Sequence, residues 1–253
     1  MKQFIGLLKM EHRHLAVTYM VLAALSLIAI FIGPHAIVYY FPHLIVEHVR
    51  FTSMVPLALM TFMASLILFR SSLKRDIKVK DIWLHSASTI YTLVGAKIVY
   101  QMAALIVMEA CVFSGFFFIG DLVEGTILEF IAFALFSTVF TIVFYTFLIV
   151  FFYFFMVLYI QSKRFVGKIS IIIMVAALFV YFRFLEWLPE ETPLQIGKVD
   201  FSWLENYTPN FGNDVDVTVI FSSFYIVEEL FMWAVLIAIF MGTSKWLEKV
   251  LTR

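Results

Sequence analysis

Three carboxylates sit where carboxylates are costly. Glu109 falls near the middle of one long apolar run, 98–120, and Glu228 and Glu229 lie about two turns into another, 220–243. An Asp at the centre of a membrane helix costs about 2.5–3.5 kcal/mol on insertion scales, so such groups must face a partner or a wet cavity. Two chemistries fit them: a path that accepts the cationic groups of a passing substrate, or a carboxyl kept neutral or hydrogen-bonded between helices. For Glu109 the second is favoured, because no basic residue lies within the neighbouring turns. Glu228 and Glu229 point about 100° apart on a helix, so at most one faces a given cavity squarely.

Catalytic signatures are missing. Two Gly-Lys pairs occur, Gly167-Lys168 and Gly197-Lys198; Ser162 and Thr192 stand where the phosphate-binding loop has its first Gly, and Ile169 and Val199 stand where it has Ser or Thr. His43, Glu47 and His48 give H-x-x-x-E-H, one residue longer than the inverted zinc-protease pattern, and are expected to be a solvated loop rather than a metal site. Neither H-E-x-x-H nor G-x-S-x-G occurs, and the single cysteine, Cys111, is expected to be a small buried hydrophobe. The chain is therefore expected to be no enzyme, with no metal or cofactor of its own. Its 18 basic and 18 acidic residues leave no basic surplus for a nucleic acid.

The elements that carry these residues follow from composition. Of 253 residues, 63% are hydrophobic and 14% charged, against roughly 45–50% and 25% in soluble domains. A surplus of that size must face lipid. Stretches of about 20 apolar residues can span a bilayer as helix, and six qualify: 15–33, 51–69, 98–120, 127–160, 169–184 and 220–243. The fourth lacks Gly, Pro and any charge after Glu129, so nothing would stabilise a turn inside lipid; one long helix is expected. Residues 1–14 carry apolar positions at helical spacing broken by charge and are expected to form an interfacial amphipathic helix. The expected architecture is a single all-α membrane domain over 1–253 with six transmembrane helices.

With both termini inside, 15 of the 18 basic residues fall on the cytoplasmic side. Arg50, Arg183 and Lys198 remain outside with 11 acidic residues, as the positive-inside rule requires. Two connections are long: a cytoplasmic one, 70–97, opening with a basic cluster, and an outer one, 185–219, with Trp187, Trp203 and Tyr207 among prolines and glycines. Within the first, Asp81-Ile82-Trp83-Leu84-His85-Ser86-Ala87-Ser88 has the make-up of a short amphipathic segment able to dock on a soluble partner or to lie on anionic lipid.

This D-x-W-L-H-S-x-S run, followed by Ala96-Lys97 at the foot of the third span, resembles the membrane subunits of type-2 ABC exporters, and more narrowly the permeases of the staphylococcal phenol-soluble modulin exporters and their relatives. The layout is similar as well. The resemblance implies a permease in the cytoplasmic (cell) membrane that pairs with a second permease chain, identical or different, and binds two separate ATPase subunits holding ATP and Mg. Arg75, Asp76, Lys80, Asp81, Trp83, Leu84 and His85 would be the coupling helix seated in the ATPase. Its cargo would be amphipathic peptides, for which the 30 Phe residues offer soft apolar surface, with Glu109, Glu228 and Glu229 as candidate substrate-path groups. The alternative is a membrane immunity or sensor protein that sequesters such peptides without transport.

Overall fold

Large apolar side chains face outward along the long helices: Val17 is 70% exposed, Met20 63%, Ile67 65% and Leu135 63%. Apolar surface on this scale, unpaired within the chain, requires an apolar surrounding. The computed structural model describes residues 2–78, 89–118, 127–187, 196–199 and 224–251. In chain order they form α1 (Lys2–Phe31), α2 (Gly33–Tyr40), α3 (Val46–Lys78), α4 (Ile90–Phe113) with a 3-10 turn over Ser114–Phe118, α5 (Ile127–Val166) with a 3-10 turn over Gly167–Ile169, α6 (Ser170–Trp187) and α7 (Ile226–Leu251). A minimal antiparallel pair, β1 (Lys198–Val199) on β2 (Phe224–Tyr225), precedes α7. Apart from that pair the described residues are almost all helical, and the protein is of multi-pass membrane type: among the described residues five helices are long and apolar enough to cross a bilayer, over Gln3–Phe31, Val46–Lys78, Ile90–Phe113, Ala134–Val166 and Ile226–Lys249. The shortest expected stretch, 169–184, falls on the 18 residues of α6.

α4 is the axis, in contact with α1, α3, α5 and α7, and half of its apolar window is buried, against 11–28% for the other four. Around it Phe69 and Leu73 of α3, Val94 and Leu105 of α4, Tyr145, Ile149 and Tyr153 of α5, and Leu247 of α7 form the main core. α1 joins through a stripe one side chain wide, Glu11, Leu15, Tyr19, Ser26 and Ile30, all buried and spaced by about one or two turns.

Several boundaries differ from the sequence expectations, each for a local reason. Residues 1–14 are not a separate interfacial helix. α1 runs unbroken from Lys2, because Glu11 is buried against neighbouring helices instead of facing water. α4 begins at Ile90, eight residues before the expected span. Thr89 caps it by accepting from the Thr92 backbone N–H at 3.4 Å, and Lys97 lies inside the helix at 2% exposure. The expected cytoplasmic connection 70–97 is consequently helical to Lys78 and again from Ile90. α7 begins at Ile226, six residues later than expected, after the backbone pairing of Ile226 and Val227 with Gly197 and Ile196. Most of the outer connection 185–219 lies outside the described residues.

α5 is one unbroken helix of 40 residues, about 60 Å long at 1.5 Å per residue and so longer than a bilayer core. It stops at Gly167, whose φ of +59° is the left-handed conformation that ends helices and that only Gly adopts without cost. Gly167→Val is expected to destabilise the protein by about 1–2 kcal/mol, read as a lower midpoint of thermal unfolding in detergent. Gly167→Asn should recover most of the loss; equal stability of the Val variant would remove this role.

Candidate functional site

A lysine inside an apolar helix needs a counter-charge, and Lys97 has two. Its Nζ donates to Glu11 Oε1 on α1 and to Ser72 Oγ on α3, the latter at 2.6 Å. It also lies 2.7 Å from Asp76 Oδ2 on α3, at an angle outside hydrogen-bond geometry. Ser72 Oγ sits 2.7 Å from the second Glu11 oxygen. Arg75 completes the group, with Nη2 3.5 Å from Glu11 Oε1 and Nε 3.3 Å from Asp76 Oδ1. Two cations and two anions thus cancel in a cluster that joins α1, α3 and α4. Glu11 and Lys97 are essentially inaccessible, at 1% and 2% exposure.

Two further polar contacts follow along the antiparallel α3–α4 pair. Near mid-helix, the Tyr19 hydroxyl donates to Gln101 Oε1. Ser65 Oγ lies 3.2 Å from the same oxygen and 2.6 Å from the Tyr145 hydroxyl, which brings in α5. Beyond that, Thr61 Oγ1 donates to Glu109 Oε1 at 3.3 Å. Lys97, Gln101 and Glu109 on α4 therefore meet Ser72 and Asp76, Ser65, and Thr61 on α3 in matching order. At the far end Arg50, 6% exposed, donates to the carbonyls of Ile30 (3.3 Å) and Phe118, with His35 Nε2 3.4 Å away. A buried cation on the last carbonyls of two helical segments is favourable for the helix dipole.

Beside the Glu109 contact lies a cleft of about 550 Å³ between α3, α4 and α5, within the usual range for ligand sites, about 300–1,000 Å³. Met54, Phe62, Met63, Phe140 and Phe144 contribute to its apolar wall, and Glu109 is the only ionisable side chain among the described residues lining it. Phe140 and Phe144 stack in parallel at 6.2 Å, and Phe62 stacks on Phe144 at 6.0 Å. The arrangement offers flat aromatic faces and one carboxyl, a surface suited to an apolar molecule with a single polar or cationic group.

The sequence-selected residues are distributed unevenly around this geometry. Glu109 lines the cleft but lies in the last turns of α4 and not at mid-span, because α4 starts earlier than expected. Asp76 is turned inward, so its charge is engaged within the chain; Arg75 beside it is partly exposed. Lys80, Asp81, Trp83, Leu84 and His85 lie outside the described residues. Glu228 and Glu229 are not two turns inside a span. They occupy the first turn of α7, Glu228 exposed and Glu229 half-buried, where acidic groups complement the helix dipole. His43, Glu47 and His48 assemble no three-residue metal-ligating group, nor does any such group occur among the described residues.

Glu11, Ser72 and Lys97 were not singled out from sequence as a unit, nor were Tyr19, Ser65, Gln101 and Tyr145. A signal exists for both sets: Lys97 and Gln101 are one turn apart on α4, and Ser65, Ser72 and Asp76 recur at helical spacing on α3. No family model, curated protein or solved structure matches the chain.

Lys97→Met leaves Glu11 and Asp76 buried without their main cation. Removing one partner of a buried pair costs about 3–5 kcal/mol, so the variant is expected to unfold at markedly lower temperature in detergent, and Lys97→Met with Glu11→Gln should lose less than the sum of the single changes. Ser65→Ala, which removes the interhelical hydrogen bonds to Gln101 and Tyr145, should cost about 1.2 kcal/mol, at about 0.6 for each. An unchanged melting midpoint for Lys97→Met would show that the cluster does not hold the helices.

Proposed function

We propose that this chain is the transmembrane permease subunit of an ATP-driven exporter of amphipathic peptides, acting with a second permease chain and with two separate ATPase subunits. The observation that carries the reading is the ionic cluster of Glu11, Arg75, Asp76 and Lys97, which ties α1, α3 and α4 together at the end that bears segment 79–88, with Asp76 three residues before it and Lys97 two turns into the helix that follows. α3 ends at Lys78 and α4 starts at Ile90, so a protein that gripped the intervening segment would act on three membrane helices as one body. Rigid-body movement is how packed helices transmit a distant event. The resemblance of 81–88 to the coupling segments of type-2 exporter permeases supplies the identity of the grip.

In this reading α6 is the fifth of six spans, between α5 and α7, and both termini are cytoplasmic in the cell membrane. Lys80, Asp81, Trp83, Leu84 and His85 form the docking surface, with Trp83 and Leu84 as the apolar anchor and the charges setting register. Arg75 and Asp76 are the root of the lever rather than its tip, because Asp76 is paired with Lys97. The aromatic cleft with Glu109 is the candidate substrate surface: Phe side chains take the apolar face of a peptide, and the carboxyl takes a lysine ammonium. Glu228 and Glu229, at the start of α7, stand at an end of a helix and not on that surface.

Co-purification of the full chain with its ATPase in detergent tests the coupling role. A stable complex is expected for the wild type and a lost one for the Trp83→Ala, Asp81→Ala double variant. Failure of the wild type to retain an ATPase would overturn the exporter reading in favour of a peptide-sequestering membrane protein. Glu109→Gln is expected to keep ATPase binding while cutting vesicle transport of a lysine-bearing amphipathic peptide about tenfold, the equivalent of about 1.4 kcal/mol. Equal transport by this variant would remove the carboxyl from the path.

A further inference from the structure

A second cleft, of about 440 Å³, lies between α3, α5 and α6 and differs in character from the Glu109 cleft. Its walls are Phe152, Phe155, Met156 and Tyr159 of α5 and Ile171 and Met174 of α6, and among the described residues lining it Arg70 of α3 is the one that carries a charge. Arg70 is exposed and makes no hydrogen bond or ion pair among the described residues. This separates it from Arg50 and Arg75, whose guanidinium groups have partners. Cations gather at the same mouth. Lys74 lies one turn beyond Arg70 on α3 and is exposed, and Lys163 Nζ sits 5.7 Å from the centre of the Tyr159 ring.

Depth along the helices agrees with a two-part occupant. Tyr159 is two turns from the end of α5 and Ile171 is in the first turn of α6, so the mouth faces the basic ends of the bundle. Phe152 lies a further two turns inward, about 10 Å at 1.5 Å per residue. The cleft therefore runs from a cationic rim into an aromatic and thioether interior. An arginine fork pairs with phosphate oxygens, and basic pockets between membrane helices on the cytoplasmic side take anionic headgroups.

From this combination we infer that the cleft is a binding site for one phospholipid with a net negative headgroup, its phosphate on Arg70 with Lys74 and Lys163 nearby and one acyl chain along Phe152, Phe155 and Met156. The site is separate from the Glu109 cleft and its occupancy does not depend on the transport reading.

Native mass spectrometry of the full chain in detergent tests this, titrating phosphatidylglycerol against phosphatidylcholine of identical acyl chains. The expected result is one saturable phosphatidylglycerol adduct, formed at a concentration about tenfold lower than the phosphatidylcholine adduct. Arg70→Gln should abolish the headgroup preference, and Met174→Trp, which fills the cleft and leaves Arg70 in place, should remove the adduct itself. Arg13→Gln, which removes an exposed cation elsewhere on α1, should change neither. Equal binding of the two lipids, or a preference that survives Arg70→Gln, would overturn the assignment. So would complete displacement of phosphatidylglycerol by excess inorganic phosphate, which would reduce the site to one for the anion alone.

Discussion

The constraint on which the bundle depends is the charge of Lys97. An ammonium at 2% exposure in the second turn of a membrane helix is tolerable only if anions are brought to it from other helices, and the two that are brought, Glu11 and Asp76, come from α1 and α3. Their positions then fix the lateral arrangement and the depth of three helices at once. Apolar packing alone cannot do this in lipid, where hydrocarbon side chains gain little by choosing one another over acyl chains. The neutrality of the cluster matters equally. With Arg75 included, two positive and two negative groups face one another, and the desolvation that each suffers is offset by the others.

From that fixed end the contacts weaken toward Glu109, before Arg50 ties α3 to α1 and to the turn after α4 at the far end. The Tyr19–Gln101–Ser65–Tyr145 group consists of neutral hydrogen bonds, each worth about 0.6 kcal/mol in a membrane. Thr61–Glu109 is a single bond at 3.3 Å, and next to it α3 and α5 stand apart across the aromatic cleft. The gradient is one of energy as well as spacing. Separating the helices near Glu109 breaks one modest bond, whereas separating them near Lys97 strands buried charge, at several kcal/mol.

Much of the fold was legible in the sequence because the bilayer reduces the problem to length and hydropathy. The unbroken α5 followed from the absence of Gly, Pro and charge after Glu129 in the stretch 127–160, and the break at Gly167 agrees with that residue's backbone freedom. Boundaries were less legible wherever a charge was assumed to mark water. Lys97 was read as the end of a connection and Glu11 as part of an interfacial segment. Each is a charged residue on an apolar helix whose partner lies 86 positions away, and hydropathy cannot see a pairing of that separation. The same error moved Glu109 to mid-span. Glu228 and Glu229 erred in the other direction: their apolar neighbours suggested burial, while the β1–β2 pairing that starts α7 at Ile226 leaves them in its first turn.

The candidate site inherits this pattern. A carboxyl at Glu109 could be found from sequence, but its surroundings are set by the register of α3 on α4, which the Lys97 cluster imposes from about 18 Å away, twelve residues at 1.5 Å each. Had α4 begun at residue 98, Glu109 would lie at mid-helix. With α4 starting at Ile90 and Lys97 held by α1 and α3, Glu109 meets Thr61 and fronts an aromatic cleft instead. A displacement applied at the connection between α3 and α4 reaches that cleft through the same three joined helices. α3 is held to α1 and α4 by buried charge at both ends, at Lys97 and at Arg50, so the cleft between α3 and α5 is where helices can part without stranding such a charge.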